Sequence, residues 1–147
     1  MTQNVVKEPL CFAPSGFCDL LGIGLVALSA DQAEMELNVE PKHLNSQGTL
    51  HGGVLATLVD ITGGLAGCYC PHSQSYKKAV TLSLTTSFLA ATSTGTIRAI
   101  GRKRSEGKSV FTASVDVFDA SGNLVAIGEA TYLHVHPRTN ISHLGEV

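Results

Sequence analysis

Asn45-Ser46-Gln47-Gly48-Thr49-Leu50-His51-Gly52-Gly53-Val54-Leu55-Ala56-Thr57-Leu58-Val59-Asp60 joins a loop of turn formers to an uninterrupted apolar run. The pattern beyond His51 predicts one long helix from about Gly52 to Gly67 or Cys70. Val54, Leu58, Ile61 and Leu65 fall on one face at i, i+4, i+7 and i+11. Ala56, Asp60, Gly63, Gly64 and Gly67 form a second stripe, also at helical spacing. A glycine inside a helix costs about 1 kcal/mol against alanine, so three cost roughly 3 kcal/mol. Close packing of this stripe against a sheet or a neighbouring subunit is the simplest compensation. Asp60 shares the stripe, so it faces protein or ligand rather than bulk water. A lone carboxylate in an apolar helix is expensive unless it is paired or used. At the helix start, two glycines allow another group close to the backbone, where free N–H groups point outward. An acid near a ready-made oxyanion or phosphate site is a catalytic arrangement.

Upstream of this segment, residues 14–22 read as a short helix stopped by Gly22, and residues 23–29 as an apolar strand. Asp31-Gln32 makes a turn. Ala33 to Glu40 alternates apolar and polar, which is a strand with one buried and one acidic face, ended by Pro41. Downstream of Pro71-His72-Ser73-Gln74-Ser75-Tyr76 everything reads as strand. Val80, Leu82, Leu84, Thr86 and Phe88 alternate with Thr81, Ser83, Thr85 and Ser87. A second strand covers 95–104, with a turn at Ser105-Glu106-Gly107. A third carries Phe111, Ala113, Val115 and Val117, and a fourth spans 124–135 after the hairpin signal Asp119-Ala120-Ser121-Gly122-Asn123. The tail from Pro137 is polar and is expected to fray. One long helix balances six strands only by lying across them, which predicts an α+β fold: an antiparallel sheet wrapped around a central helix.

The totals agree with one domain over residues 1–147, with its core at about 15–135. Apolar residues make up 44% of the 147 and charged residues only 15%, a low share that predicts surface hidden in an oligomer. A net charge of −2 lacks the basic excess of a nucleic-acid binder. No apolar stretch reaches membrane-spanning length, and the N-terminal residues lack the basic and apolar regions of a signal peptide, so a cytoplasmic location is expected. Cys11, Cys18, Cys68 and Cys70 form no C-x-x-C pair and read as reduced thiols. His134 and His136 share a strand face, but no further ligand for a metal can be named. Gly-x-Gly-x-x-Gly, P-loop and Gly-x-Ser-x-Gly signatures are absent, which argues against serine-triad hydrolysis on this chain.

The pattern N-x-x-G-x-x-H-G-G-x-x-x-x-x-x-D, followed by strands and a D-x-x-G-x-L-V-A hairpin, resembles the hotdog-fold acyl-CoA thioesterases. The similarity covers roughly residues 15–135 and is nearest the phenylacetate-pathway (PaaI-like) type, related to the hydroxybenzoyl-CoA thioesterases. The resemblance implies acyl-CoA hydrolysis to free acid and CoA by a homo-oligomer, a dimer or a dimer of dimers. It implies no cofactor and no metal; coenzyme A enters only as part of the substrate.

By the same resemblance, Asp60 is the helix carboxylate that acts as general base or as nucleophile. Gly52 offers the N–H that polarises the thioester carbonyl, and Asn45 an assisting amide. His51 and Gly53 order the loop and helix start on the substrate side, and Thr81 supplies a hydroxyl that holds the attacking water. The resemblance also implies that Asp60 and the Asn45–Gly52 loop come from different subunits. Some hydroxybenzoyl-type relatives carry a glutamate, with a threonine one turn later; here the acid is Asp60 and the later residue Gly64, which argues against a hydroxybenzoyl substrate. The physics agrees: thioester hydrolysis builds charge on the carbonyl oxygen, and one preorganised donor is worth about 3–4 kcal/mol.

Each assignment has a plainer alternative. Asp60 is otherwise a hydrogen-bonded structural acid, Gly52, Gly53 and Asn45 turn residues, His51 an ordering group and Thr81 a strand residue. The basic cluster of Arg102 and Arg104 with Lys108 meets coenzyme A phosphates, or is a solvated hairpin end. Two rival functions stand beside hydrolysis: a non-catalytic acyl-CoA-binding module on the same fold, and a dehydratase or hydratase of acyl thioesters.

Overall fold

The computed structural model describes residues 16–136. Positions 14 and 15 of the expected first helix, Cys11 and the tail from Pro137 lie outside them. Helix α1 (Gly16–Leu21) stops at Gly22, which takes a positive φ of 75°. Its N–H donates to the Cys18 carbonyl at 2.8 Å, closing the last turn. Strands β1 (Ile23–Ser29) and β2 (Gln32–Asn38) form a hairpin whose turn carries Asp31 at φ 62°. A single 3₁₀ turn at Pro41–His43 follows, then the loop, then α2 (Gly52–Cys68). The remaining strands are β3 (Tyr69–Cys70), β4 (Ser75–Tyr76), β5 (Ala79–Phe88), β6 (Thr96–Glu106), β7 (Val110–Phe118) and β8 (Leu124–His134).

The architecture is α+β, as expected. Six antiparallel strands run in the order β1-β2-β6-β7-β8-β5, and α2 lies across their concave face. Leu58 and Val59 are fully buried against Met35 and Leu37 of β2, Ile97 of β6, and Val115 and Val117 of β7. Burying one such side chain contributes about 1.5–3 kcal/mol. The glycine stripe packs against the sheet of its own chain. A Cβ at Gly63 would lie 2.5 Å from the Tyr132 hydroxyl, and one at Gly67 only 2.0 Å from the Phe111 ring. These glycines let two aromatic rings reach the helix backbone, which offsets their poor helix propensity.

Three features depart from expectation. The β6 strand continues through Ser105 and Glu106, because a bulge between Lys103 and Ser105 keeps Glu106 paired with Phe111. A small hairpin of β3 and β4 closes the segment after α2, with Tyr69 against Tyr76 at a ring separation of 5.6 Å. The third departure is in β5, whose alternation reads as uniform.

A bulge between Thr81 and Ser83 leaves Leu82 unpaired. Thr81 pairs with inward-facing Tyr132, Ser83 with outward-facing Thr131, and Leu84 with inward-facing Ala130. Thr81 and Leu84 therefore share the helix side although they are three residues apart. The β5 strand is also an edge of the sheet, with Val80, Leu82, Leu84 and Phe88 exposed.

Candidate functional site

Asp60 sits half-buried in the middle of α2, with its carboxylate turned toward β5. Thr81 donates its hydroxyl to Asp60 Oδ1 at 2.7 Å. Tyr132 of β8 donates to the main-chain carbonyl of Asp60, also at 2.7 Å, and so fixes the helix turn that carries the carboxylate. Burial, with the Asp60 charge second, raises the Tyr132 phenol well above its ordinary range, so it stays a proton donor. Asp60 and Ile61 line two neighbouring concavities. One, of about 290 Å³, also touches Gly64, Cys68, Ala79 and Thr81. The other, of about 340 Å³, touches Phe17, Ala56, Thr57 and Leu84.

The start of α2 forms a second centre. His51 is the N-cap: its Nδ1 accepts the Gly53 N–H at 2.8 Å, and its carbonyl accepts the Val54 N–H at 2.9 Å. An accepting Nδ1 leaves the proton of a neutral ring on Nε2. Among the described residues, no acceptor meets the Gly52 N–H, the first amide of the helix. This is the orphan donor that a helix N-terminus offers to an oxyanion. The Phe88 ring covers Gly52 so closely that a Cβ there would stand 3.1 Å from it. Asn45, Thr49, Gly52 and Phe88 line a third concavity, of about 360 Å³. Asn45 also organises its own loop, accepting the N–H groups of Gln47 at 2.9 Å and Thr49 at 3.2 Å.

Asp60 and Gly52 are eight residues apart on one straight element, about 12 Å along its axis. Their concavities share no lining residue. Within one chain, the carboxylate and the free amide do not face a common atom.

The structure therefore brings Asp60 and Thr81 together, and separately Asn45, His51, Gly52 and Gly53. Arg102, Arg104 and Lys108 join neither group. Arg102 faces Asp116 at 3.6 Å and Arg104 donates to Ser114 at 2.6 Å, both on the sheet face turned away from α2. Lys108 is exposed in the β6–β7 turn. His134 is buried against Phe111 and meets Glu106 at 3.3 Å, while His136 is exposed beyond β8. Among the described residues, no group of three or more His, Cys, Asp or Glu side chains could hold a metal ion.

Sequence reasoning passed over Tyr132, Phe88 and His43. His43 is fully buried and bonded at both ring nitrogens, by the Glu40 N–H at 2.9 Å and at the Leu21 carbonyl at 2.8 Å. Its own carbonyl accepts the His51 N–H at 2.8 Å, which ties the loop to the helix start. A histidine after Pro41-Lys42 carries no local signal of such a role.

The family model of the thioesterase superfamily matches residues 47–126, more than half of the chain, and takes in all of α2 together with Thr81 and Phe88. The chain belongs to the thioesterase superfamily. Acyl-coenzyme A thioesterase 13 of Mus musculus is 32% identical over 135 residues, covering 89% of this chain and 94% of the relative. Among solved structures, zebrafish thioesterase superfamily member 2 superposes with a TM-score of 0.72 at 27% identity, covering 85% of this chain and 89% of that one. The E. coli PaaI protein from the phenylacetic acid degradation operon shares the fold at a TM-score of 0.74 and 24% identity, covering 83% and 86%. As a superfamily member with the hotdog fold, this thioesterase is a thioester hydrolase. No helix of the described residues is long and apolar enough to cross a membrane.

Proposed function

We propose that the chain hydrolyses an acyl-CoA to a free acid and coenzyme A at a site shared by two copies. One copy supplies Asp60 and Thr81, and the other supplies the Gly52 amide and the Asn45 loop. The observation that carries this reading is the pair of half-sites on α2. A carboxylate held by a hydroxyl and an unsatisfied helix N–H are the two groups thioester hydrolysis needs, yet they are about 12 Å apart in one chain. A second copy running antiparallel would bring one half to the other. The exposed apolar edge of β5 is a suitable seam, because a long unpaired edge strand invites a partner. A dimer, or a dimer of dimers, would also account for the low charge of the surface.

Chemically, Asp60 takes a proton from water as the water oxygen adds to the thioester carbonyl, and the Gly52 N–H of the second copy receives the oxyanion. Collapse breaks the carbon–sulfur bond, and the proton on Asp60 passes to the departing thiolate. The nucleophilic version, in which Asp60 attacks the carbonyl itself and water then cleaves the anhydride, uses the same geometry. Neither requires a cofactor or a metal. In the same reading Arg102, Arg104 and Lys108 meet the nucleotide phosphates. The mouse relative's name, an acyl-coenzyme A thioesterase, supports the substrate class.

A thiol-release assay across short, medium, long and aromatic acyl-CoAs tests the proposal. Turnover of at least one substrate, abolished in Asp60→Asn, is expected. Binding of acyl-CoA without any thiol release would show a binding module instead.

A further inference from the structure

The cavity beside Asp60 has two matched walls. On α2, Asp60, Gly64 and Cys68 succeed one another turn by turn. On the chain entering β5, Thr81, Ala79 and Lys77 alternate onto the same side, and all six residues line the cavity. Eight helical residues cover about 12 Å, and four extended residues about 13 Å. Both ends are pinned. Thr81 bonds Asp60 at 2.7 Å at one end, and the Lys77 N–H bonds the Cys68 carbonyl at 2.8 Å at the other.

Between the pins stand the two smallest side chains of the walls, Gly64 and Ala79. The space of about 290 Å³ is the bore they leave open. Ile61 and Leu65 make the walls apolar, and the Lys77 charge is matched by Glu106 at 3.5 Å. Cys68 adds no charge, because burial pushes its thiol up to about 11.

We propose that this channel receives the acyl chain and that Ala79 sets its length. A linear, apolar acyl group would enter with its carbonyl at Asp60, pass between Gly64 and Ala79, and end against Cys68. Three backbone bonds span about 3.3–3.6 Å, or roughly 1.2 Å per bond, so a 12 Å channel holds about ten. The substrate class is therefore a medium-length linear acyl thioester. This rests on Asp60 being the reacting carboxylate.

Two measurements separate the inference from that premise. The first is binding of non-hydrolysable acyl-CoA thioethers with chains of two to fourteen carbons. Affinity should rise roughly fourfold per methylene, up to about ten carbons, and then stop. In Ala79→Leu the rise should stop several carbons earlier. Ala79→Val, which suits a strand and adds less bulk, should shift it by less and serves if the leucine variant fails to fold. The second is hydrolysis of the matching thioesters. A break point at the same length in a folded variant, or affinity indifferent to chain length in the wild type, overturns the channel. Hydrolysis with no dependence on length also overturns it and leaves the catalytic reading standing. A break point that moves as expected, with no hydrolysis of any chain, supports the channel and overturns the catalytic reading.

Discussion

The hydroxyl of Thr81 meets Oδ1 of Asp60 at 2.7 Å across the gap between β5 and α2. Both groups line the same cavity, so the bond orients a carboxylate that remains open to a ligand. Asp60→Asn keeps the size of the side chain and should keep the fold, while turnover falls on the order of 10²–10⁴-fold. Thr81→Val should lower kcat on the order of 10–100-fold, the worth of one hydrogen bond to a charged group. Because Thr81 is exposed, thermal unfolding should hardly change. Wild-type turnover in Asp60→Asn would remove the carboxylate from the mechanism.

Shared half-sites make a prediction about mixtures. Gly52→Pro removes the free amide at a position where proline suits a helix, although the Phe88 ring must give way. Asp60→Ala and Gly52→Pro should each be inactive alone. After dissociation and random reassociation, half of the dimers would be mixed, each with one intact site of two, so about a quarter of wild-type activity should return. No recovery, with mixed dimers confirmed by mass, would place both halves within one chain.

The basic cluster is separable from the chemistry. Arg102→Ala with Arg104→Ala should raise KM for acyl-CoA and leave kcat nearly unchanged, because a phosphate contact acts equally on ground and transition states. A substrate without the nucleotide should be treated almost as by the wild type. Equal losses on both substrates would assign these arginines to the sheet, through Asp116 and Ser114.

Two neighbouring glycines should respond very differently to one added methyl. Phe111 is fully buried, with Tyr132 and His134 each at a ring separation of 4.8 Å, so it cannot yield to a Cβ placed 2.0 Å away. Gly67→Ala should cost about 3 kcal/mol or more. At Gly64 the nearest atom would be 3.3 Å away, and the helix gains about 1 kcal/mol from alanine, so Gly64→Ala should be close to neutral. Urea denaturation of the two variants decides; the reverse order would contradict the packing described.

Alkaline pH should destabilise the fold through Cys68. Burial, reinforced by nearby Cys70, raises its thiol from 9.0 to about 11. The unfolded chain then releases this proton first, so the folded state binds more protons between these values. The stabilising contribution is complete below pH 9 and is lost as pH rises through about 11. The thermal midpoint should fall across that window, and Cys68→Val should fall less steeply. Parallel curves would deny Cys68 this role.

The long helix was readable because its signals are local: a loop of turn formers ending in two glycines, an apolar period and a carboxylate out of keeping with its surroundings. The sheet followed from alternation in β2, β5 and β7. Turn chemistry marked Gly22 and the Asp119–Asn123 hairpin. What escaped depends on partners distant in the chain. The Tyr132 hydroxyl meets Asp60 from 72 residues away, and nothing around Tyr132 in the sequence announces it. Phe88 covers Gly52, and His43 braces the loop from the side, through tertiary contacts alone. Arg102 and Arg104 are conspicuous in the sequence for their density. Their direction depends on strand register, which density does not encode.

The unpaired Leu82 has a consequence for comparing sequences. It changes the parity of β5: residues before it and after it count faces from different origins. A chain of the same length without the bulge would have to turn either its hydroxyl or its apolar edge to the other face. A chain lacking Leu82 would lose the alternating look, yet Thr81, Ser83 and Leu84 would stay opposite Tyr132, Thr131 and Ala130 on a regular strand. Loss of one residue at this point is thus tolerable, because it removes the bulge and leaves the faces as they are. A relative with a one-residue gap at position 82 is therefore expected to aim its hydroxyl as Thr81 does, although its letters no longer alternate.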